Sequence, residues 1–157
     1  MDYRYHDSPL GSILLVGKDK YLHSLTLPTQ RSSDWPLPDW QPTKTGFGDC
    51  VRQLDKYFAG KLRKFSLDLA LHGTLFQREV WDALLQIPYG ETRSYQDIAY
   101  AIGNPKAVRA VGNSNARNPI AIIIPCHRVI GANRKLTGYA GGLAYKRALL
   151  DLSLIHI

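Results

Sequence analysis

The stretch that most constrains this chain is Asn118-Pro119-Ile120-Ala121-Ile122-Ile123-Ile124-Pro125-Cys126-His127-Arg128-Val129. Its apolar, β-branched run from Ile120 to Ile124 reads as a short buried strand. Pro125 ends that run, because it donates no hydrogen bond and pushes the residue before it to extended geometry. Cys126 is therefore expected on a fixed turn at the mouth of a core segment, followed at once by an imidazole and a guanidinium. A thiol reacts as its thiolate, and an imidazole and a nearby cation are the groups that lower a thiol pKa. Nucleophile, base and cation thus fall within three residues. The competing reading is an inert core cysteine.

Charge placement narrows the partner. The formal charge is +7, from 20 basic and 13 acidic residues. Between Asp97 and Asp151 there is no acidic residue, while Lys106, Arg109, Arg117, Arg128, Arg134, Lys135, Lys146 and Arg147 all fall there. A one-sided basic segment around a reactive thiol points to a polyanion. The two cysteines, Cys50 and Cys126, are read as free thiols in a reducing compartment, since a bridge would consume the nucleophile. Histidines and cysteines are scattered without zinc-type spacing, so no metal or other cofactor is expected. No segment approaches the roughly 18 apolar residues of a membrane span. The N-terminus also lacks a basic-then-apolar leader, and a cytoplasmic protein is expected.

The predicted fold class is α+β. A small N-terminal antiparallel sheet with a helix, over 1–70, precedes a mostly helical, winged-helix-like C-terminal domain over 71–157. Strands are expected around Tyr3 and Tyr5, from Ile13 to Val16 and from Tyr21 to Leu27. A proline- and glycine-rich loop over 28–48 is held by Trp35 and Trp40. Asp49 is expected to cap a helix with Val51, Leu54, Tyr57 and Phe58 on its apolar face. Phe65, Leu67 and Leu69 alternate as one more strand.

Beyond residue 71, Thr74 and Gln77 have capping-box spacing before Val80, Trp81, Leu84 and Leu85. Ser94 with Asp97 caps a short helix, Tyr95 to Ala101, closed by Gly103. Asn104-Pro105 opens a second helix from about Lys106 to Ala116. Two short helices around a tight turn form a helix-turn-helix. A last helix is expected from about Leu143 to Leu152. The second helix of the pair offers Ala107, Ala110, Gly112 and Ser114, with few long polar side chains to read base edges. Small residues suit close approach to a groove rather than major-groove readout.

The chain resembles the O6-alkylguanine-DNA alkyltransferase family, also called methylated-DNA–protein-cysteine methyltransferases. Besides Pro125-Cys126-His127-Arg128, the resemblance is carried in order by six further runs. These are Phe76-Gln77-Arg78-Glu79-Val80-Trp81, Ile87-Pro88-Tyr89-Gly90-Glu91-Thr92, Ser94-Tyr95, Gly103-Asn104-Pro105, Arg109-Ala110-Val111-Gly112 and Gly138-Tyr139-Ala140-Gly141-Gly142. It is close over the last half and loose over the first. The resemblance implies DNA repair by direct reversal. The alkyl group of O6-alkylguanine, and of O4-alkylthymine, passes irreversibly to Cys126 in a single turnover.

The same resemblance implies that the helix-turn-helix lies in the minor groove of double-stranded DNA with little sequence preference, the protein acting as a monomer. Arg109 is then the finger that fills the space of a flipped nucleotide, and Tyr95 presses on its phosphate. Gln96, Asn104, Ala107, Ala110, Gly112 and Arg128 complete the expected DNA surface. Tyr139 donates toward the purine, Val129 and Ala140 line the pocket, Asn118 orders the active-site turn, and His127 relays the proton through a water. In the family that relay ends on a glutamate. Here Ser153 stands in its place, and Asp151, two residues earlier, is about 200° round the helix.

Three other readings compete. A non-catalytic lesion-binding relative would flip the damaged base and recruit partners. A winged-helix regulator is disfavoured by the small-residue helix, and a thiol hydrolase gives the basic stripe no purpose.

Overall fold

The computed structural model describes residues 1–131, 133, 139 and 142–155. The chain forms two compact units, Met1–Leu71 and His72–Ile157. Together they make an α+β fold.

In the first unit, strands β1 (Asp2–Ser8), β2 (Gly11–Lys18) and β3 (Tyr21–Thr26) form an antiparallel meander. A two-residue strand, β4 (Gln41–Pro42), adds parallel to the free edge of β1. The sheet order is β3-β2-β1-β4. Ile13 to Val16 in β2 is buried on both faces, as expected for the central apolar run of a covered sheet. Helix α1 (Gly48–Phe58) adds Cys50, Leu54 and Tyr57 to the core. His6 Nε2 of β1 lies 2.7 Å from Asp55 Oδ1 of α1. Trp35 and Trp40 pack with ring centroids 5.2 Å apart and planes tilted by 56°, holding the long loop.

Two expectations in this unit are corrected. Asp49 does not cap α1: the cap position is Phe47, in left-handed geometry (φ 61°), and Asp49 sits in the first turn. There its carboxylate meets Arg52 and favours the positive helix end. The segment around Phe65–Leu69 is not a full strand. It makes one parallel bridge, Leu22 to Leu69, with bonds from Leu22 N to Asp68 O (3.0 Å) and from Ala70 N to Leu22 O (2.9 Å).

The second unit is helical. Helix α2 (Leu75–Leu85) starts at a complete capping box between Thr74 and Gln77. Its inward face is Val80, Trp81 and Leu84. Strand β5 (Arg93–Ser94) leads directly into α3 (Tyr95–Ala101), capped by the reciprocal Ser94–Asp97 box. After the turn at Gly103 (φ 75°) comes α4 (Val108–Ala116). It starts two residues later than the proline suggested, because Asn104 to Ala107 close a separate turn, with Ala107 N bonded to Asn104 O at 3.0 Å. A single 3₁₀ turn over Cys126–Arg128 precedes β6 (Val129–Ile130), which pairs in parallel with β5. Helix α5 (Leu143–Ile155) closes the unit, running further than expected.

The run Ile120–Ile124 is the main departure. It is buried, with exposures of 0 to 5%, but it is a succession of turns, not a strand. Ile122 has φ 72°. Ile124 N reaches Ile120 O at 3.0 Å, and Ile123 N reaches Ala121 O at 2.8 Å. A β-branched residue in left-handed geometry is held only where its surroundings determine it.

Candidate active site

What holds that turn is Asn118. Its amide nitrogen donates to Ile124 O at 2.7 Å, and its Oδ1 accepts from Ile120 N at 2.9 Å. One side chain thus satisfies both ends of the buried turn, where unpaired backbone groups would be costly. Pro125 and the 3₁₀ turn then deliver Cys126, only 3% exposed, against α5 and α2. From α4, Asn115 Nδ2 makes a long 3.4 Å contact with Cys126 O. From the strand that follows, Val129 N donates back to Cys126 O. The cysteine backbone is therefore gripped from two sides.

The electrostatics of the thiol differ from those read in the sequence. Burial pushes the Cys126 thiol above its ordinary range. The side chains of Asn118 and Tyr139 and the charge of Lys146 pull it back part of the way. The cation that acts on the sulfur is thus Lys146 of α5, not Arg128. Lys146 is fully buried, and burial brings its ammonium down to about 8. The sequence reading missed it. Its signal was the spacing Lys146, Leu149, Leu150, Ser153, which puts a lysine on the apolar face of α5.

Arg128 needs a second correction. Expected on the DNA-facing surface, it is 6% exposed, donates from Nη1 to Ile87 O at 2.8 Å and lies 5.7 Å from the Tyr89 ring centroid. It ties the active-site turn to the end of α2. In a 3₁₀ turn successive side chains fan out by about 120°. Cys126, His127 and Arg128 therefore point three ways. His127 is fully buried and its imidazole is held well below its usual range, by burial first, then by Arg128 and Lys146. Neither ring nitrogen has a protein hydrogen-bond partner among the described residues. Ser153 is 2% exposed and its hydroxyl bonds back to Leu150 O at 2.9 Å, while Asp151 is exposed.

The β5–β6 pairing links this chemistry to the helix-turn-helix. Arg93 pairs with Val129 and Ser94 with Ile130, so the cap of α3 is registered against the strand leaving Cys126. Tyr95, first residue of α3, has its ring over α4 at Gly112: a Cβ there would lie 3.9 Å from Tyr95 Cδ1. Gln96 spends its amide on Pro105 O at 3.0 Å, bracing the turn. Asn104, Arg109 and Ala110 are exposed, and Ala107 is half-buried. On the opposite face of α4, Val111, Ser114 and Asn115 are buried, and Trp81 Nε1 donates to Ser114 O at 2.9 Å. Val129 is fully buried and Tyr139 half-buried. Ala140, Gly141, Arg134 and Lys135 lie outside the described residues.

Residues 75–153 match the family model described as the 6-O-methylguanine DNA methyltransferase DNA binding domain. Residues 1–71 match that of the ribonuclease-like domain of the same methyltransferase. The chain belongs to the 6-O-methylguanine DNA methyltransferase family. A methylated-DNA–protein-cysteine methyltransferase of Methanosarcina barkeri is 55% identical over 153 residues, covering 97% of this chain and 96% of the relative. The protein of that name from Mycobacterium tuberculosis is 53% identical over 150 residues, with 96% and 90% covered. The crystal structure of Mycobacterium tuberculosis OGT in complex with DNA superposes with a TM-score of 0.94 at 52% identity, covering 99% of this chain and 94% of that one. The activity is that of the family, a methyltransferase of DNA repair that takes alkyl groups from methylated DNA onto a cysteine of the protein.

Proposed function

We propose that Cys126 is the acceptor, and that the lesion is O6-alkylguanine, with O4-alkylthymine as a second substrate. The observation that carries this reading is the thiol itself: it is gripped at its carbonyl, approached by Asn118, Tyr139 and Lys146, and joined through β6–β5 to a helix-turn-helix. Cys50, the other thiol, has none of this; burial pushes it up to about 12.

The thiolate of Cys126 attacks the alkyl carbon, an S–C bond forms, and the O6–C bond breaks with its electron pair on the base. The proton lost by the thiol balances the proton gained by guanine. A thioether has no easy return to thiolate, so each molecule acts once. Tyr139 donates toward the purine as negative charge develops there, and the backbone around Val129 and Ala140 holds the base edge. Asn118 keeps the turn in place. His127, fanned away from the sulfur on the 3₁₀ turn, moves the proton through a bridging water.

The target atom lies inside the base stack, so the nucleotide must leave it. Exposed Arg109 fills the gap, and Tyr95, braced over Gly112, turns the phosphate. Ala107, Ala110 and Gly112 let α4 approach the minor groove of double-stranded DNA with little sequence preference, with Gln96 and Asn104 at its margin. No cofactor takes part, and the protein works as a cytoplasmic monomer.

The test is the intact mass and peptide map after incubation with an O6-methylguanine duplex. One methylene is gained on Cys126, and Cys126→Ser gains nothing while keeping its DNA affinity. Alkyl uptake by Cys126→Ser at the wild-type rate overturns the assignment. Stable binding without a mass change selects the lesion-binding reading instead.

A further inference from the structure

We propose that Lys146 is the counter-ion of the Cys126 thiolate, a positioning residue whose buried ammonium sets how much of the thiol is ionised near neutral pH. The proposal rests on Cys126 being the acceptor. Lys146 has 0% exposure on α5, and α5 packs directly on the turn that carries Cys126. Taking an ammonium out of water is costly, and the position is flanked along the helix by Leu149 and Leu150, where an apolar side chain would fill the space without that cost. A lysine kept there brings a cation to the turn that carries Cys126.

The charges around the site indicate which anion it faces. Cys126 is acted on by Asn118, Tyr139 and Lys146, and His127 by Arg128 and Lys146. α2 contributes to this cluster the Ile87 carbonyl, which Arg128 occupies, and α4 the neutral Asn115. Among the described residues, no carboxylate acts on either Cys126 or His127. The thiolate favours the Lys146 charge: Cys126 raises the Lys146 ammonium against the burial that lowers it. The influence is mutual, so the two groups titrate as a pair. Lys146 is charged below about 8 and neutral above it, so its help to the thiolate changes there. It is present near neutrality and fades as pH rises past about 8.

The experiment is single-turnover transfer from O6-benzylguanine as the free base, from pH 6 to about 10. It compares wild type, Lys146→Met and Lys146→Arg. Thiolate absorbance is titrated in parallel, with Cys50 silent because its thiol is held up to about 12. Lys146→Met should lose at least about tenfold in rate at pH 7 and shift its midpoint alkaline by about one unit or more, one unit being tenfold in ionisation. The two rates should converge at alkaline pH. Lys146→Arg should restore most of the neutral-pH rate. The melting temperature of Lys146→Met should stay level or rise, because a buried charge has been removed.

A Lys146→Met profile with an unchanged midpoint overturns the proposal, whether the rate is normal or uniformly reduced. So does loss of folded protein in both Lys146→Met and Lys146→Gln, which would make the lysine structural. Failure of the acceptor reading looks different: the alkyl group then maps to a residue other than Cys126, whatever the thiolate titration shows.

Discussion

An imidazole held neutral in the core is an acid-sensitive point, and His127 is one. Its folded-state pKa lies well below 6.5 because burial and the charges of Arg128 and Lys146 disfavour the imidazolium. As pH falls below about 6.5, the unfolded chain binds a proton that the folded protein refuses. Stability contributed by the neutral ring is therefore intact above 6.5 and declines below it, by about 1.4 kcal/mol per pH unit. Urea unfolding of wild type and His127→Gln between pH 5 and 7.5 reads this directly. The wild-type curve should lose that increment relative to His127→Gln on the acid side, and parallel curves would mean that His127 is not held neutral. The same residue shows what local sequence conveys. Pro125-Cys126-His127-Arg128 pointed to the thiol, but the cation next to it in sequence is not the one that acts on it in space. The 3₁₀ turn sends Arg128 to Ile87 and Tyr89, and the cation comes instead from Lys146, twenty positions away.

At the level of elements, the features specified by short spacings were legible. Both capping boxes, Thr74–Gln77 and Ser94–Asp97, form as their three-residue spacing implies, because each is satisfied within one helical turn. Ile120–Ile124 misled for the converse reason: β propensity reports fit to a pleated surface, whereas here Asn118 bonds both ends of the run and bends it. Helix α4 joins the two kinds of information. Its buried face is pinned by Trp81 through Ser114 O, which leaves Arg109 projecting on the exposed side. If Arg109 acts only when a base leaves the stack, Arg109→Ala should slow transfer from an O6-methylguanine duplex by at least about tenfold, roughly the 1–3 kcal/mol scale of a lost interaction with the nucleic acid. Transfer from free O6-benzylguanine should change little. Equal slowing on both substrates would place Arg109 in support of the pocket.

Over the whole chain, charge was readable in sign and segment but not in exposure. Eight basic residues lie between Asp97 and Asp151, and eight phosphate contacts would be the simplest inference. Burial revises it. Arg128 and Lys146 are 6% and 0% exposed and serve the active-site turn, so they are withdrawn from the DNA surface. Among the described residues, Lys106, Arg109, Arg117 and Arg147 remain exposed. Each phosphate neutralised releases counterions, giving a slope of log affinity against log salt of about −0.9 per contact on duplex DNA. Those four and the undescribed Arg134 and Lys135 make six contacts at most, which predicts a slope no steeper than about −5, and eight would give about −7. Titrating an undamaged duplex between about 50 and 200 mM salt distinguishes them, since the slope depends on contact number and not on lesion chemistry. Lys106→Ala or Arg117→Ala should each make the slope shallower by about one, with affinity reduced across all sequences alike. Lys146→Met should leave it unchanged. A slope near −7, or a slope that Lys146→Met alters, would return the buried cations to the DNA surface and contradict their burial.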